Sequence, residues 1–308
     1  MKPLVIGTRG SALALVQAEM TEAALAQAFP DLEVVRNVIT STGDRRTDVP
    51  LSQVAKVEGI IDKGVFIKEL EIALEAGEVD IAVHSLKDVP TVLEDQFEMV
   101  GVLERAPVSD VLISCHPGGL DGLPQGATVA TSSVRRQRQL KWLRPDLNMV
   151  DIRGNVQTRL SKLAENDDID ATMLAEAGLV RLGFDLTGDL GHGLFATPLA
   201  PDTFLPAAGQ GAVGFEIRTG DETAKAYVQA ITHELTMLQV RAEREFLRLL
   251  DAGCHTPVGV ESRIDGETLH MMACVFDEEN DVAPEESSLS GLANEPEAVA
   301  LKLYQSLK

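Results

Sequence analysis

The sequence predicts an α/β fold, and three observations carry that prediction. Short apolar runs with period-2 alternation recur along the chain, the clearest being Val79–His84, where Val79, Ile81 and Val83 alternate with Asp80, Ala82 and His84. Stretches with apolar residues at helical spacing lie between them. Three strand-to-helix junctions, Arg9–Ser11, Thr131–Arg135 and Arg153–Asn155, then share one design: a Ser/Thr/Gly/Asn turn, a helix start and an arginine. At 308 residues the chain is too long for one simple core and predicts two or three domains.

In chain order, Lys2–Gly7 reads as an apolar strand. The helix after it carries Leu13, Val16, Met20, Ala24 and Leu25 on one face, with Ser11 placed to cap it. Glu33–Thr40 is a second strand, Ser41–Pro50 a polar turn region and Leu51–Gly64 a mobile loop of weak periodicity. Val65–Glu75 is an amphipathic helix closed by Gly77, and it delivers the chain to the strand from Val79. That strand runs into Ser85, Lys87 and Asp88, and Pro90 ends regular structure. The pattern restarts after Leu103, with strands at Asp110–Ser114, Thr128–Ala130, Asn148–Ile152 and Asp170–Leu174. Helices follow the last three, the last of them Ala175–Gly183 with Arg181. Pro198–Pro206 reads as a linker, and Ala207–Glu216 passes from a glycine-rich turn into a strand that returns the chain to the first domain. His233–Leu250 is an amphipathic helix, Gly253 supplies its C′ residue, and Cys254 falls in the turn beyond. Thr268–Phe276 alternates as a strand. Asp277–Ala300, without Lys or Arg, reads as a solvated acidic surface.

Composition narrows the function classes. The net charge of −21 argues against nucleic acid as a partner, because a polyanion is repelled. Three cysteines without paired spacing give neither a disulfide framework nor a metal signature, which suits a reducing, cytoplasmic setting. A zinc site from Cys115, His116, Cys254 and His255 lacks ligand spacing and is discounted, so no metal is expected. The sequence shows no secretory h-region, and no apolar run has the length to span a bilayer.

Against the acidic background, Thr131–Leu160 carries seven Lys/Arg and two Asp. A solvated helix face accounts for Arg138, Lys141 and Arg144, but less well for Arg135, Arg153 and Arg159, which sit in or just after strand-to-helix turns. A guanidinium grips a carboxylate bidentately, and helix-start N–H groups add charge-assisted bonds. Several such sites suit a ligand with many carboxylates or phosphates, and these residues do not separate the two. Polar residues at the carboxyl end of a buried strand, as at Ser85–Asp88, mark where open α/β sheets bind ligands; the plain alternative is a strand end facing water. No P-loop or dinucleotide fingerprint is present. Cys274 lies in an apolar strand and reads as core, Cys115 is undecided, and Cys254 on position alone reads as structural ahead of functional.

Taken together, TRGSALAL, AVHSLKDVPT, TSSVRRQ, RGNVQTRL, AAGQGAVG and GCHTPVG, spread from Thr8 to Gly259, resemble the porphobilinogen deaminase (hydroxymethylbilane synthase) family. The resemblance implies three α/β domains: 1–103 plus 208–232, then 104–207, both like halves of type II periplasmic binding proteins, and 233–308, a small α+β domain with an antiparallel sheet. It implies a transferase that joins four porphobilinogen units head to tail, releases ammonia at each step and frees hydroxymethylbilane for tetrapyrrole biosynthesis. The primer would be a dipyrromethane cofactor joined by a thioether to Cys254. Asp88 matches the catalytic aspartate, with Lys87 beside it. Cofactor contacts fall on Ser85, Lys87, Asp88, Thr131, Ser133, Arg135, Arg136 and Asn155, and substrate contacts on Arg9, Ser11, Arg153, Arg159, Arg181 and Gln210. The expected partner is porphobilinogen alone, on a monomer, with no nucleic acid or membrane.

The chemistry agrees with the residues. Each pyrrole brings two carboxylates, so a growing chain needs several cationic sites, and loss of ammonia leaves an azafulvenium cation that a positioned carboxylate stabilises. One segment departs from the family pattern: Leu51–Phe66 (LSQVAKVEGIIDKGVF) is longer than the usual GGKGLF-type cover and lacks its glycine pair. Two other classes fit parts of the pattern. A solute-binding module would have no use for Cys254, and a phosphoribosyl-type transferase would need magnesium and a phosphate loop.

Overall fold

The computed structural model describes residues 2–41, 67–187, 190–252, 256–277 and 282–307. Cys254, the glycine before it and the Leu51–Phe66 segment lie outside the described residues. The chain divides into two compact units, Met1–Ala106 with Gly211–Val240 and Pro107–Gln210 with Arg241–Lys308.

In the first unit, strand β1 (Leu4–Arg9) leads through the turn at Gly10 and Ser11 into helix α1 (Ala12–Ala28). Ser11 caps it as its position predicts, Oγ accepting from the Ala14 N–H at 3.3 Å. β2 (Val34–Ile39), α2 (Lys68–Glu75), β3 (Ile81–Ser85) and β4 (Phe97–Val102) follow. Gly77 closes the α2 turn in the left-handed region (φ 70°), where only glycine is unstrained. β10 (Val213–Arg218) completes a five-stranded sheet of order β2-β1-β3-β10-β4. β1 runs parallel to β2 and β3, and β10 runs antiparallel to β3 and β4. One face packs Ile6, Ile81, Val83, Phe215 and Ile217 against α1 and helix α7 (Glu222–Ile231). The other packs Ala82 and Phe97 against Leu70, Ala73 and Leu74 of α2.

The second unit holds two sheets. Strands β5 (Asp110–Ser114), β6 (Thr128–Ala130), β7 (Asn148–Val150), β8 (Ala171–Ala175) and β9 (Phe195–Pro198) form the first, in the order β7-β6-β8-β5-β9. Its helices are the short α3 (Gly119–Gly122), then α4 (Val134–Leu143), α5 (Val156–Glu165) and α6 (Glu176–Arg181). Here too a parallel trio, β7-β6-β8, is followed by an antiparallel strand, β5. The other sheet is an antiparallel meander of β11 (Val258–Asp265), β12 (Thr268–Val275) and β13 (Glu285–Leu292). It packs Val260, Leu269, Met271 and Ala273 on Ala242 and Phe246 of helix α8 (Glu234–Leu249) and on Val299 and Leu303 of α9 (Pro296–Ser306).

Several segments differ from what the sequence predicts. The linker-like stretch before Pro206 is packed: Phe204 and Leu205 are buried, and the Leu205 carbonyl accepts from Arg135 and Gln139. That packing extends to the meander, where Val260 N–H donates to the Pro206 carbonyl and Leu205 clusters with Cys274 and Phe276. Within Asp277–Ala300, a stretch read from sequence as solvated, lie strand β13 and the start of α9. β4, β9, β11 and α7 are further elements that the sequence pattern does not predict.

Candidate active site

Parallel pairing brings the carboxyl ends of β1 and β3 to one edge of the first sheet, with Arg9 and Ser11 after one strand and Ser85–Asp88 after the other. Gln17, buried on α1, ties that helix to the end of β3: its Nε2 donates to Ser85 Oγ at 2.8 Å, and Ser85 Oγ donates to its Oε1 at 3.2 Å. Leu86–Asp88 forms one turn of 3-10 helix. Leu86 and Val89 are each 1% exposed and packed on Val102, Ala212 and Val240, while Lys87 and Asp88 between them are half-buried. The Leu86 N–H donates to the Ala212 carbonyl at 3.1 Å and the Val89 N–H to the Leu86 carbonyl. The turn is thus clamped by its apolar members and presents its charged pair on a fixed backbone.

In the second unit, β6 pairs in parallel with β7 and β8, so their carboxyl ends lie together. Thr131–Ser133 and Arg153–Asn155 are neighbouring turns there, with Ser132 Oγ donating to the Ile152 carbonyl and accepting the Ile152 N–H. Ser133 caps α4 and Asn155 caps α5, Asn155 Oδ1 accepting from the Thr158 N–H at 2.8 Å. Gly154 sits at φ 121°, and a Cβ there would come within 2.6 Å of Thr158 Cγ2, so any side chain at this turn is strained. Arg159 Nε donates to the Gly154 carbonyl, and Arg153 and Arg159 are both partly exposed. Thr131 is buried, its Oγ1 accepting from the Ser133 N–H.

Arg135 and Arg136 occupy a different environment from the one their sequence position predicts. They are 7% and 6% exposed and share one carboxylate, the fully buried Asp110 at the start of β5. Arg135 Nη1 lies 2.7 Å from Asp110 Oδ2, and Arg136 Nη2 lies 2.6 Å from Oδ1. Each also donates to a backbone carbonyl, Arg135 to Leu205 and Arg136 to Met173. Gln210, fully buried, donates to the Val108 carbonyl and to Asp110 Oδ1. Burial alone would raise the Asp110 carboxyl, but the two guanidiniums override it and hold it well below the usual carboxylate range. Burial in turn lowers Arg135 and Arg181, the latter at the end of α6 and partly buried. Arg144, expected on a solvated helix face, is bidentate to Asp146 and donates to the Leu120 carbonyl.

Cys274 is buried, as its apolar strand predicts, and burial beside Glu286 pushes its thiol up to about 12. Cys115 is exposed; burial of its sulfur and the charges of Asp170 and Asp167 push its thiol up, which disfavours a thiolate. Gln17 and Asp110 escape a reading by residue type, since an isolated glutamine on a helix and an aspartate opening an apolar strand carry no motif. The only signal for Asp110 is the cost of a charge placed before Val111–Ile113, which demands a partner.

The comparisons fall on both units. The family described as porphobilinogen deaminase, dipyromethane cofactor binding domain, matches residues 4–226, and its C-terminal domain matches 237–308. A porphobilinogen deaminase from Chlorobaculum parvum is 43% identical over 99% of this chain and 94% of its own length. One from Chlorobium luteolum is 44% identical over 89% of this chain and 83% of its own. Among solved structures, the effector binding domain of a BenM variant superposes with TM-score 0.42 at 16% identity, over 79% of this chain and 95% of that one.

Proposed function

From its membership of the porphobilinogen deaminase family, to which this chain belongs, we propose how its own residues carry out the reaction. The enzyme polymerises porphobilinogen into hydroxymethylbilane in tetrapyrrole biosynthesis, and its matched domain binds the dipyrromethane cofactor. When bound, that cofactor supplies the primer to which substrate units are added. Its attachment through a thioether to Cys254 is our reading, resting on the placement of that cysteine in GCHTPVG. The division into three domains, with 233–308 carrying the cofactor cysteine, belongs to the same reading.

The residues fit a group rich in carboxylates. α4 and α5 direct their first N–H groups to the edge where Thr131, Ser133, Arg153 and Asn155 lie. Beneath it, Asp110 balances only one of two buried guanidiniums, leaving a fixed positive excess. In this reading Arg153, Arg159, Arg9 and Ser11 grip acetate and propionate groups, with Arg181 at longer range. Arg135, Arg136 and Gln210 act through the Asp110 cluster, by charge and by fixing the start of α4, and not as a direct grip. Asp88, with Lys87 beside it, stabilises the cation that loss of ammonia leaves on the substrate. The clamped Leu86–Val89 turn carries this assignment, since a carboxylate on a fixed backbone needs no reorganisation as charge develops.

Intact mass of the purified protein tests the cofactor link. The wild type is expected to exceed its sequence mass by two linked pyrrole units, and Cys254→Ser to lack the excess. An unmodified wild type, still unmodified after incubation with porphobilinogen, would refute the attachment. A second expectation concerns substrate grip. Arg153→Leu should slow primer assembly and elongation by roughly tenfold or more, the scale of one lost charge-assisted hydrogen bond of about 1.5–3 kcal/mol. Single-turnover rates equal to wild type would count against that role.

A further inference from the structure

The first sheet buries an ionisable pair that the reaction as described does not use. His84 on β3 is 4% exposed and Glu216 on β10 is fully buried, and His84 Nε2 lies 2.8 Å from Glu216 Oε2. Both point to the α2 face, where Glu216 stands opposite Ala82 in the register. The other carboxylate oxygen, Glu216 Oε1, is buried with no hydrogen-bond partner among the described residues. A buried pair of this kind adds little stability compared with a well-packed apolar one, so its presence calls for another account.

Its place in the chain supplies one. His84 immediately precedes Ser85 and stands four residues before Asp88. The stretch from Ala212 through β10 meets the end of β3 and the turn that carries Asp88 in three successive ways. The Ala212 carbonyl accepts the Leu86 N–H. Gly214, paired with His84, leaves room for the Leu86 side chain, where a Cβ would come within 2.9 Å of Leu86 Cδ1. Glu216 then holds the His84 imidazole. One stretch of chain thus fixes the turn by backbone and packing, and the strand leading into it by a side-chain bond.

Other charges surround the pair. α2 contributes Glu71, with Lys68 and Glu69 in its first turns, and the segment before β4 contributes Glu94. Further along β10, Arg218 is held by Asp80 and Asp221 and donates to the Leu74 and Val79 carbonyls. On β4, Met99 stands opposite Glu216, and the neighbouring Glu98 pairs with Lys225 of α7. Burial, and after it the charges of Glu216 and Glu94, raise the Glu71 carboxyl to about 7, with Lys68 opposing.

We propose that His84 and Glu216 are positioning residues for Asp88, their imidazole–carboxylate bond locking the carboxyl end of β3 to β10 so that the catalytic turn keeps its place through successive additions. This rests on the reading of Asp88 as the catalytic carboxylate. A misplacement on the ångström scale at the reacting groups costs roughly 10²-fold in rate.

The test uses the cofactor-loaded enzyme, with rates expressed per loaded molecule by intact mass. His84→Ala is expected to lower kcat by roughly 10²-fold with KM for porphobilinogen within about twofold, because the carboxylate-gripping residues are untouched. His84→Gln, whose Nε2 reaches the same carboxylate, should recover most of the loss. Glu216→Leu, which removes the acceptor for His84 at similar volume, should lower kcat as His84→Ala does, with KM again unchanged. Wild-type kcat per loaded molecule in His84→Ala, or lowered thermal stability with kcat unchanged, would overturn the proposal. If His84→Ala yields no folded protein, a wild-type kcat per loaded molecule in Glu216→Leu would overturn it equally. An active Asp88→Ala would instead remove the reading beneath it, so the two failures are distinguishable.

Discussion

Replacing Asp88 by alanine is expected to cut turnover by at least roughly 10²–10³, the scale of removing one preorganised electrostatic group, while leaving the fold and the covalent primer in place. The separation of these effects follows from the geometry. Asp88 is half-buried and is the charged end of a turn whose stability comes from Leu86 and Val89, each buried in a shared apolar cluster. Deleting the carboxylate leaves those contacts, the Leu86–Ala212 hydrogen bond and the Gln17–Ser85 exchange untouched. Ammonia release and tetrapyrrole formation report turnover, far-UV circular dichroism the fold, and intact mass the primer. Near-normal ammonia release from the variant would remove Asp88 from the mechanism. Loss of both fold and turnover would show instead that the carboxylate holds the turn together. Asp88→Glu is the informative companion: it keeps the charge but moves it by one methylene on a backbone that cannot follow. Its activity should therefore fall well below wild type while exceeding that of the alanine variant.

The sequence makes some of this legible and hides the rest for identifiable reasons. Alternation at Val79–His84 reveals β3 because both of its faces are packed, and Ser11, Ser133 and Asn155 reveal helix starts because capping is a local interaction. β13 is missed because its outward residues are serines, glutamates and the exposed Leu292, and only Leu289 packs inward on the core. Arg135 and Arg136 show a subtler limit. Their residue type and their place at a helix start announce positive charge, and that much is present. What they bind depends on Asp110, which reaches them only because β5 runs antiparallel beside β8 and sets its first residue opposite Ala175, at the carboxyl edge of the parallel strands. The same nonlocal pairing places Glu216 beside His84. Local rules find a charged residue; the partner that decides its function comes from strand pairing far away in sequence.

Asp110 therefore carries the largest predicted effect on stability. Asp110→Ala leaves two guanidiniums buried without their shared carboxylate, a change of the kind that costs about 3–5 kcal/mol. Gln210 also loses an acceptor, though it retains the Val108 carbonyl. Asp110→Asn keeps the volume and one acceptor oxygen but not the charge, and should fall between the alanine variant and wild type. The loss is read from the urea midpoint of the second unit's transition, with the first unit followed separately, because two compact units need not unfold as one. The pH dependence has a definite sign. The folded Asp110 carboxyl lies below its unfolded value, so its stabilisation is fully present above an ordinary carboxylate pKa of about 4 and fades as pH falls toward the depressed folded value. The destabilisation by Asp110→Asn should thus be constant from neutral pH down to about 5 and should shrink below about 4, where the wild type loses the same interaction. A midpoint unchanged at neutral pH would mean that another carboxylate neutralises the guanidiniums. The fixed positive excess beneath the Thr131 and Arg153 turns would then be absent, and with it the electrostatic reason for an acidic chain to hold a polycarboxylate at that edge.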